Sequence, residues 1–487
     1  MPQHKRPKRV LIVGSGAAGT AAAWSLARSS DFAVQVWEAE PHAGGVATSE
    51  VIGSNGSTAT WLNDGVQGGS PTYRNTLWLH EQAGIAPRPV DFRVSFGRGD
   101  TAWNNSAATP LVKRLQSDIQ RFGKLLAWID RTEPLSALLP IGLVLRAGRF
   151  SKEFRDHMLY PLVALFFGTG NQTRRVSAAL VSRVFRDEKL RLFDFDPERL
   201  LSQRPPMFAF DRLSEIYATM VRKTEETGRG TFHFNRPVER IERAAHGVTA
   251  IDAQGEAERF EAVIFACPAN VALRVLSKPS LRERAALGSV QYFHDITVTH
   301  TDRAYMERYY ELDDARGDQY FIRTYPDATD RIEMSFDLSH YQPQLESSVY
   351  QTIFLDRASD ESRWTIDEID PQRVLFSKPW IQFSHTWQHY VRVVPWLRFL
   401  QGRQHTFYAG SWTLANTHEV ATISGFAAAY RLGADYPVEG DALALEQFET
   451  YLGVVHGRAY HERPRVSDRN RLHGNETTKE PPLAPRA

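Results

Sequence analysis

The first pattern along the chain is a short, unbroken apolar run, Val10–Val13, followed at once by the small-residue stretch Gly14–Gly19. A continuous apolar run of that length suits a parallel strand buried on both faces. Thr20–Arg28 is rich in Ala and Leu and free of breakers, so it reads as a helix. Ala33–Glu38 reads as a second strand, with Val34 and Val36 on one face. Strand, turn, helix and strand in that order predict the opening of a doubly wound parallel sheet, an α/β fold.

Further on the period changes. Leu111–Ile129, Ser151–Phe167 and Leu213–Glu226 mix apolar and charged residues at helical spacing. Phe232–Phe234, Val238–Ile241, Val248–Ile251 and Ala262–Ala266 read as short strands, as do the aromatic run Val290–His300 and Tyr320–Tyr325. Phe407–Ala409 reads as a closing strand and Ile423–Leu432 as a closing helix. From Gly474 the chain is polar and Pro-rich, which predicts a frayed tail.

This layout predicts a discontinuous nucleotide-binding domain built from residues 1–110, 231–288 and 396–460. A helical block, 111–230, and a strand-rich block, 289–395, would form an inserted mixed α+β substrate domain, with 461–487 as a partly disordered tail. A length of 487 residues is compatible with two or three domains.

Charge and cysteine content narrow the function classes. The 58 basic and 57 acidic residues nearly cancel, which removes the general electrostatic reason to expect nucleic acid. The single cysteine, Cys267, forbids an internal disulfide and argues against a Cys-based metal site. No stretch approaches the roughly 18–20 apolar residues that span a bilayer. With no secretory pattern at the start, the expectation is a cytoplasmic protein. The basic run Lys5–Arg9 reads as a solvated tail before the first strand.

The chemistry enters with Gly14-Ser15-Gly16-Ala17-Ala18-Gly19, placed between a strand and a helix. In that context Gly14 permits the tight turn, Gly16 lets a pyrophosphate approach the backbone, and Gly19 lets helix and strand pack closely. The helix N-terminus offers free N–H groups to the phosphates. Glu38, at the end of the second strand, can accept hydrogen bonds from ribose hydroxyls and would repel a 2′-phosphate. The pattern serves NAD and FAD alike.

Pro41-His42-Ala43-Gly44-Gly45 follows soon after, with Val46 next. Asn235–Ile241 with Val263–Pro268, and Phe407–Trp412 with Thr417–Ala428, come later in the same order. These stretches resemble the flavin-containing amine oxidase superfamily, which also holds carotenoid desaturases, protoporphyrinogen oxidases and polyenoic fatty acid isomerases. The family's glycine doublet is often flanked by arginines; here His42 and Val46 stand in those places. Pyrophosphate binding would then lean on backbone N–H groups, with Thr48 or Ser49 as candidate helpers.

The resemblance implies a Rossmann-like FAD-binding domain of the glutathione-reductase type and noncovalent FAD. It also implies cofactor contacts at Ala39, at Val238 through its backbone, and at Gly410, Trp412 and Ser424. In amine oxidases proper a lysine near the strand read here as Tyr292–His300 holds a water beside the flavin, and that strand contains none.

The leading expectation is therefore an FAD-dependent enzyme that takes a hydride from carbon of an apolar substrate, with an unsaturated fatty acid or similar lipid as the candidate. It would be an isomerase if the hydride returns and a desaturase or oxidase if it does not. The alternatives are an amine or amino-acid oxidase, and an FAD-binding protein without turnover. The loop Trp61–Tyr73 is expected to line the flavin face. Candidate substrate-pocket residues are Gln67, Tyr73, Arg74, Phe166 and His418, with Arg74 or Arg98 able to hold a carboxylate. The cluster His385 and His389 lacks the spacing of a metal site, so no metal is expected. The apolar run Leu135–Leu145 reads as a buried helix, with a membrane or lipid contact as the alternative.

Overall fold

The computed structural model describes residues 6–53, 60–133, 135–167, 171–187 and 205–461. The expected tail from Gly474 and the first residue of the basic run, Lys5, lie outside them.

Five parallel strands form the central sheet: β1 (Lys8–Val13), β2 (Phe32–Trp37), β3 (Gly230–His233), β4 (Ala262–Phe265) and β5 (Thr406–Tyr408). Their order across the sheet is β3-β2-β1-β4-β5. Val10, Leu11 and Ile12 are fully buried at its centre, as a strand covered on both faces must be. Helix α1 (Ala17–Ala27) packs against α2 (His418–Leu432), which begins five residues before the apolar run Ile423–Leu432 predicted. The earlier start follows from a cap: the Thr417 side chain accepts from Val420 N. The two helices approach so closely that a Cβ on Gly425 would lie 2.1 Å from the Ala18 carbonyl oxygen.

A second sheet has seven strands, in the order Val374–Phe383, Tyr292–His300, Tyr350–Phe354, Ala328–Asp337, Tyr320–Tyr325, Val94–Phe96 and Trp103–Asn104. All neighbours are antiparallel except Val94–Phe96 beside Tyr320–Tyr325. One face packs on helices drawn from residues 110–186, with Phe122, Phe154, Leu162 and Val181 fully buried in that core. A three-stranded antiparallel unit, Val238–Ala244, Gly247–Asp252 and Ala257–Phe260, lies in sequence between β3 and β4.

Two expected helices differ. Leu111–Ile129 is divided into Pro110–Arg114 and Gln116–Arg131 at Leu115. Leu135–Leu145 is not one buried helix: Pro140 interrupts it before Ile141–Ala147, and Leu135, Leu138 and Leu143 are left exposed. Among the described residues no helix is long and apolar enough to cross a membrane.

Candidate active site

A cavity of about 600 Å³ runs from the glycine loop after β1 to the inner face of the second sheet. Three chain segments make one half of it: Gly14 with Gly16–Ala18, Gly44–Ala47 and Gly410–Trp412, together with Glu38. Their conformations explain the residue types. Gly14 has φ +99°, and a Cβ there would lie 2.8 Å from Ala266 O. A Cβ on Gly19 would fall 1.9 Å from Gly14 O, so Gly19 serves the packing of α1 on the loop. Gly16 differs: its Cβ would meet nothing closer than 3.9 Å, and that open space faces the second glycine loop at Gly44 and Gly45. No side chain caps α1 at Gly16, so its first-turn N–H groups and positive dipole end remain for an anion. Glu38 is fixed at the end of β2 by Ser15, whose N and Oγ donate to Glu38 Oε2 at 2.6 and 2.7 Å.

These features fit a dinucleotide. There is a backbone cradle with room where a Cβ would otherwise stand, an uncapped helix N-terminus suited to a pyrophosphate, and a carboxylate in the lining of the same cavity that could accept from ribose hydroxyls. A flavin bound there would supply a hydride acceptor. Cys267 also lines this half. Burial pushes its thiol up to about 12, which keeps it protonated and a poor nucleophile.

The other half is walled by side chains. Tyr73, Leu165, Tyr320, Phe336 and Ile353 supply apolar surface, with Thr297, Gln351 and Gln67 as uncharged polar groups. The glycine-rich loop expected at the flavin face contributes Asp64, Gly65, Val66, Gln67 and Gly68. Gly65 is required there, because a Cβ would sit 2.1 Å from Val46 O. Gln67 Nε2 donates to Gln351 Oε1 at 3.1 Å, and Gln351 Nε2 donates to Asp64 O at 2.8 Å. Gln67 Oε1 is buried with no partner among the described residues.

His418 lines the cavity at the first turn of α2, its Nε2 2.6 Å from Tyr217 Oη. Burial pushes its imidazole down to about 4, so it is neutral. Lys378 stands opposite Thr297 on the neighbouring strand but does not line the cavity. Its ammonium is held by Asp64 at 2.8 Å and by Glu50. Burial raises the Asp64 carboxyl against the pull of Lys378. Burial disfavours the charged form of Lys378 too, but Asp64 and Glu50 outweigh it and hold the ammonium above its ordinary range.

Of the residues singled out from sequence, Gly14, Gly16, Ala17, Ala18, Glu38, Gly44, Gly45, Val46, Gln67, Tyr73, Gly410, Trp412 and His418 line this one cavity. Others do not. Ser15 and Gly19 sit behind its wall. Ala39 is exposed. Val238 opens the strand Val238–Ala244 and packs against the hydrophobic core. Ser424 accepts from Gly410 N at 2.7 Å and donates to Ala421 O, so it braces the Gly410 turn. Thr48 and Ser49 bond Asp64 and Asn63. Arg74 is paired with Asp441 outside the cavity, and Arg98 donates to Arg308 O. Phe166 packs on Phe92 and Phe185, leaving the adjacent Leu165 to face the cavity. One helical step turns a residue by about 100°, which is why a run such as Leu159–Phe167 cannot say which member faces inward.

The sequence offered no signal for Asp295. It is buried on Tyr292–His300 and accepts from Gln382 Nε2, a cavity side chain, at 2.6 Å. Burial pushes its carboxyl up to about 7. Among the described residues no cluster of His, Cys, Asp and Glu could hold a metal.

The family model described as flavin containing amine oxidoreductase matches residues 17–307, more than half of the chain. The chain belongs to this family. A flavin-containing amine oxidoreductase is an enzyme with a flavin cofactor. The match starts just inside the first glycine loop and ends at residue 307, so β1 lies before it and β5 and α2 lie beyond it.

Solved structures with the same fold include a CLA-producing fatty acid isomerase from P. acnes, with TM-score 0.62 and 16% identity over 86% of this chain and 98% of that one. Cyclohexylamine oxidase from Brevibacterium oxydans IH-35A gives TM-score 0.62 and 16% identity over 88% and 99%. A putrescine oxidase bound to putrescine gives TM-score 0.59 and 14% identity over 88% and 99%. At such identities the likeness is one of fold alone. No curated protein matches the chain significantly.

Proposed function

We propose that this enzyme binds FAD noncovalently, with the pyrophosphate between Gly16 and Gly44–Gly45 and the adenosine ribose on Glu38, and oxidises a neutral, apolar substrate at carbon. The observation that carries the substrate class is the charge of the inner half of the cavity. Its wall is largely aromatic and aliphatic, its polar groups are amides, hydroxyls, the neutral imidazole of His418 and the Asp64 carboxyl, and among the described residues no arginine or lysine lines it. A pocket of that kind orients a long apolar molecule by shape, with few polar contacts.

The residues divide the work. Tyr73, Leu165, Tyr320, Phe336 and Ile353 exclude water and hold the chain of the substrate. Gln67, braced by Gln351, presents its amide to one polar group of it. Among the described residues no cation lines the cavity to hold a fatty acid carboxylate, so an uncharged lipid or a hydroxylated hydrocarbon fits it better than the acid. Isomerase, desaturase and oxidase outcomes share this geometry.

A second reading, amine oxidation, is favoured by one observation: Gln67 Oε1 is a buried acceptor awaiting a donor, and an amine N–H would satisfy it. Anaerobic titration of the purified yellow protein separates the two. Unsaturated neutral lipids should perturb or bleach the flavin band, whereas primary amines leave it unchanged. Rapid bleaching by a primary amine, with peroxide formed on admitting air, would replace the first reading by the second. Colourless protein that binds NAD tightly would remove both.

A further inference from the structure

A second hollow, of about 530 Å³, lies at the far end of α2 from the flavin cavity. His418 and Ala421 face the cavity, whereas Arg431, in the last turn of α2, lines the hollow. At 1.5 Å per residue that separates the two by roughly 20 Å along the helix. Four arginines, Arg398, Arg403, Arg431 and Arg458, surround the hollow together with His456.

Three observations set this cluster apart from a solvated basic surface. None of the four guanidinium groups is in an ion pair among the described residues, and the one hydrogen bond that any of them makes is from Arg431 to His456 O at 3.4 Å. The nearby Glu449 lines the adjoining depression with Arg398 and Arg458 but lies beyond ion-pair distance of both. Two left-handed glycines clear the space: a Cβ on Gly457 (φ +60°) would lie 2.8 Å from Arg398 Nε, and one on Gly402 (φ +80°) 3.6 Å from Arg431 Nη2. Lastly, His456 is only 2% exposed, and neither ring nitrogen has a partner.

A buried imidazole with both nitrogens unbonded is costly, and so is a set of like charges gathered without a counterion. Burial and the neighbouring Arg431 keep His456 neutral, pushing it down to about 3, so it retains one donor and one acceptor. Burial and Arg458 likewise lower the Arg431 guanidinium below its ordinary value. One ligand chemistry relieves all of this: a compact dianion with several acceptor oxygens, which guanidinium forks bind in a bidentate manner.

We propose that this hollow is a binding site for a phosphate group, separate from the flavin cavity. The exposed side chains of Trp396, Phe399 and Val454 belong to the same segments as its arginines. A soluble phosphomonoester and the headgroup of an anionic lipid therefore share the required chemistry.

The test uses the flavin-loaded full chain. Inorganic phosphate is titrated by calorimetry, and flotation is measured with phosphatidylcholine vesicles with and without phosphatidic acid. The double variant Arg398→Gln, Arg403→Gln changes two exposed side chains that no core contact needs, and should weaken binding by about tenfold or more while flavin content stays the same. Arg240→Gln, an exposed arginine paired with Glu242 on another unit, is the control for net charge and should bind as the unaltered chain does. Saturable inorganic phosphate binding that is lost in the double variant supports the site with a soluble ligand. Flotation that depends on phosphatidic acid and is lost in the same variant supports it with a lipid one. If neither probe binds, or if Arg240→Gln weakens binding as much as the double variant, the proposal is overturned.

Discussion

The two halves of the cavity are built from different material. The half assigned to the cofactor is made largely of backbone: two glycine loops, an uncapped helix start and one carboxylate braced by Ser15. The half assigned to the substrate is made of side chains from distant stretches, Gln67 and Tyr73 near the start of the chain, Leu165 from a helix, and Thr297, Tyr320 and Gln351 from the second sheet. A backbone site tolerates little change in residue type, because Gly14, Gly19 and Gly44 are set by clash distances and Gly16 by the room it leaves open. A side-chain site can be rebuilt position by position without touching the fold. The contrast explains how one fold holds a fixed cofactor while its substrates vary.

The sharpest way to break this contrast is at Gly19. A methyl group there would collide with Gly14 O, so Gly19→Val should lose the fold or several kcal/mol of stability. Thermal unfolding and soluble yield measure it, and a stable, flavin-loaded variant would contradict the packing role. Gly16→Val should separate fold from cofactor. Its side chain meets open space in the protein but the pyrophosphate in the complex, so a folded chain with little flavin is expected. Full loading, read as flavin absorbance per chain, would show that the loop holds no phosphate.

Glu38→Gln keeps the shape and removes the charge, and should cost on the order of 1–3 kcal/mol of FAD affinity. Equilibrium dialysis of the unloaded protein against FAD tests it; an unchanged constant means that Glu38 is not the ribose ligand. The smallest effect is expected in the other half. Gln67→Leu removes a buried, unpartnered acceptor but also the donor to Gln351 Oε1, so flavin content should hold, and thermal stability should change by no more than about 1 kcal/mol in either direction. Turnover should shift mainly in KM, and a drop in flavin content would mean that the two halves are not separable.

Legibility followed the same division. The strands β1 and β2 and the glycine loop between β1 and α1 were readable because continuous apolar runs and closely spaced glycines are local signals. Leu213–Glu226 and Tyr320–Tyr325 came out residue for residue. The strands Ala328–Asp337, Tyr350–Phe354 and Val374–Phe383 lay in a region legible only as strand-rich. Buried polar residues such as Glu333 and Gln351 interrupt their apolar pattern; Glu333 is satisfied by Arg323 on the neighbouring strand and Gln351 by Asp64 O, far away in sequence. Arg74 was a reasonable candidate for an anion until Asp441, hundreds of residues later, was seen to neutralise it.

By itself, the sequence determined the sheet that opens the fold, the place of the glycine loop after β1, the acid at the end of β2, and membership of a flavin-using family. Each depends on residues adjacent in the chain, where conformation and chemistry are set by the same few positions. Only the tertiary structure decided which side of a helix faces the cavity, which cations are already paired, and that among the described residues no lysine or arginine lines the inner wall. It alone brought Arg398, Arg431 and Arg458 around His456. Those properties are sums over segments that meet only when the chain has folded, and a charge or a donor has no fixed meaning until its neighbours are known.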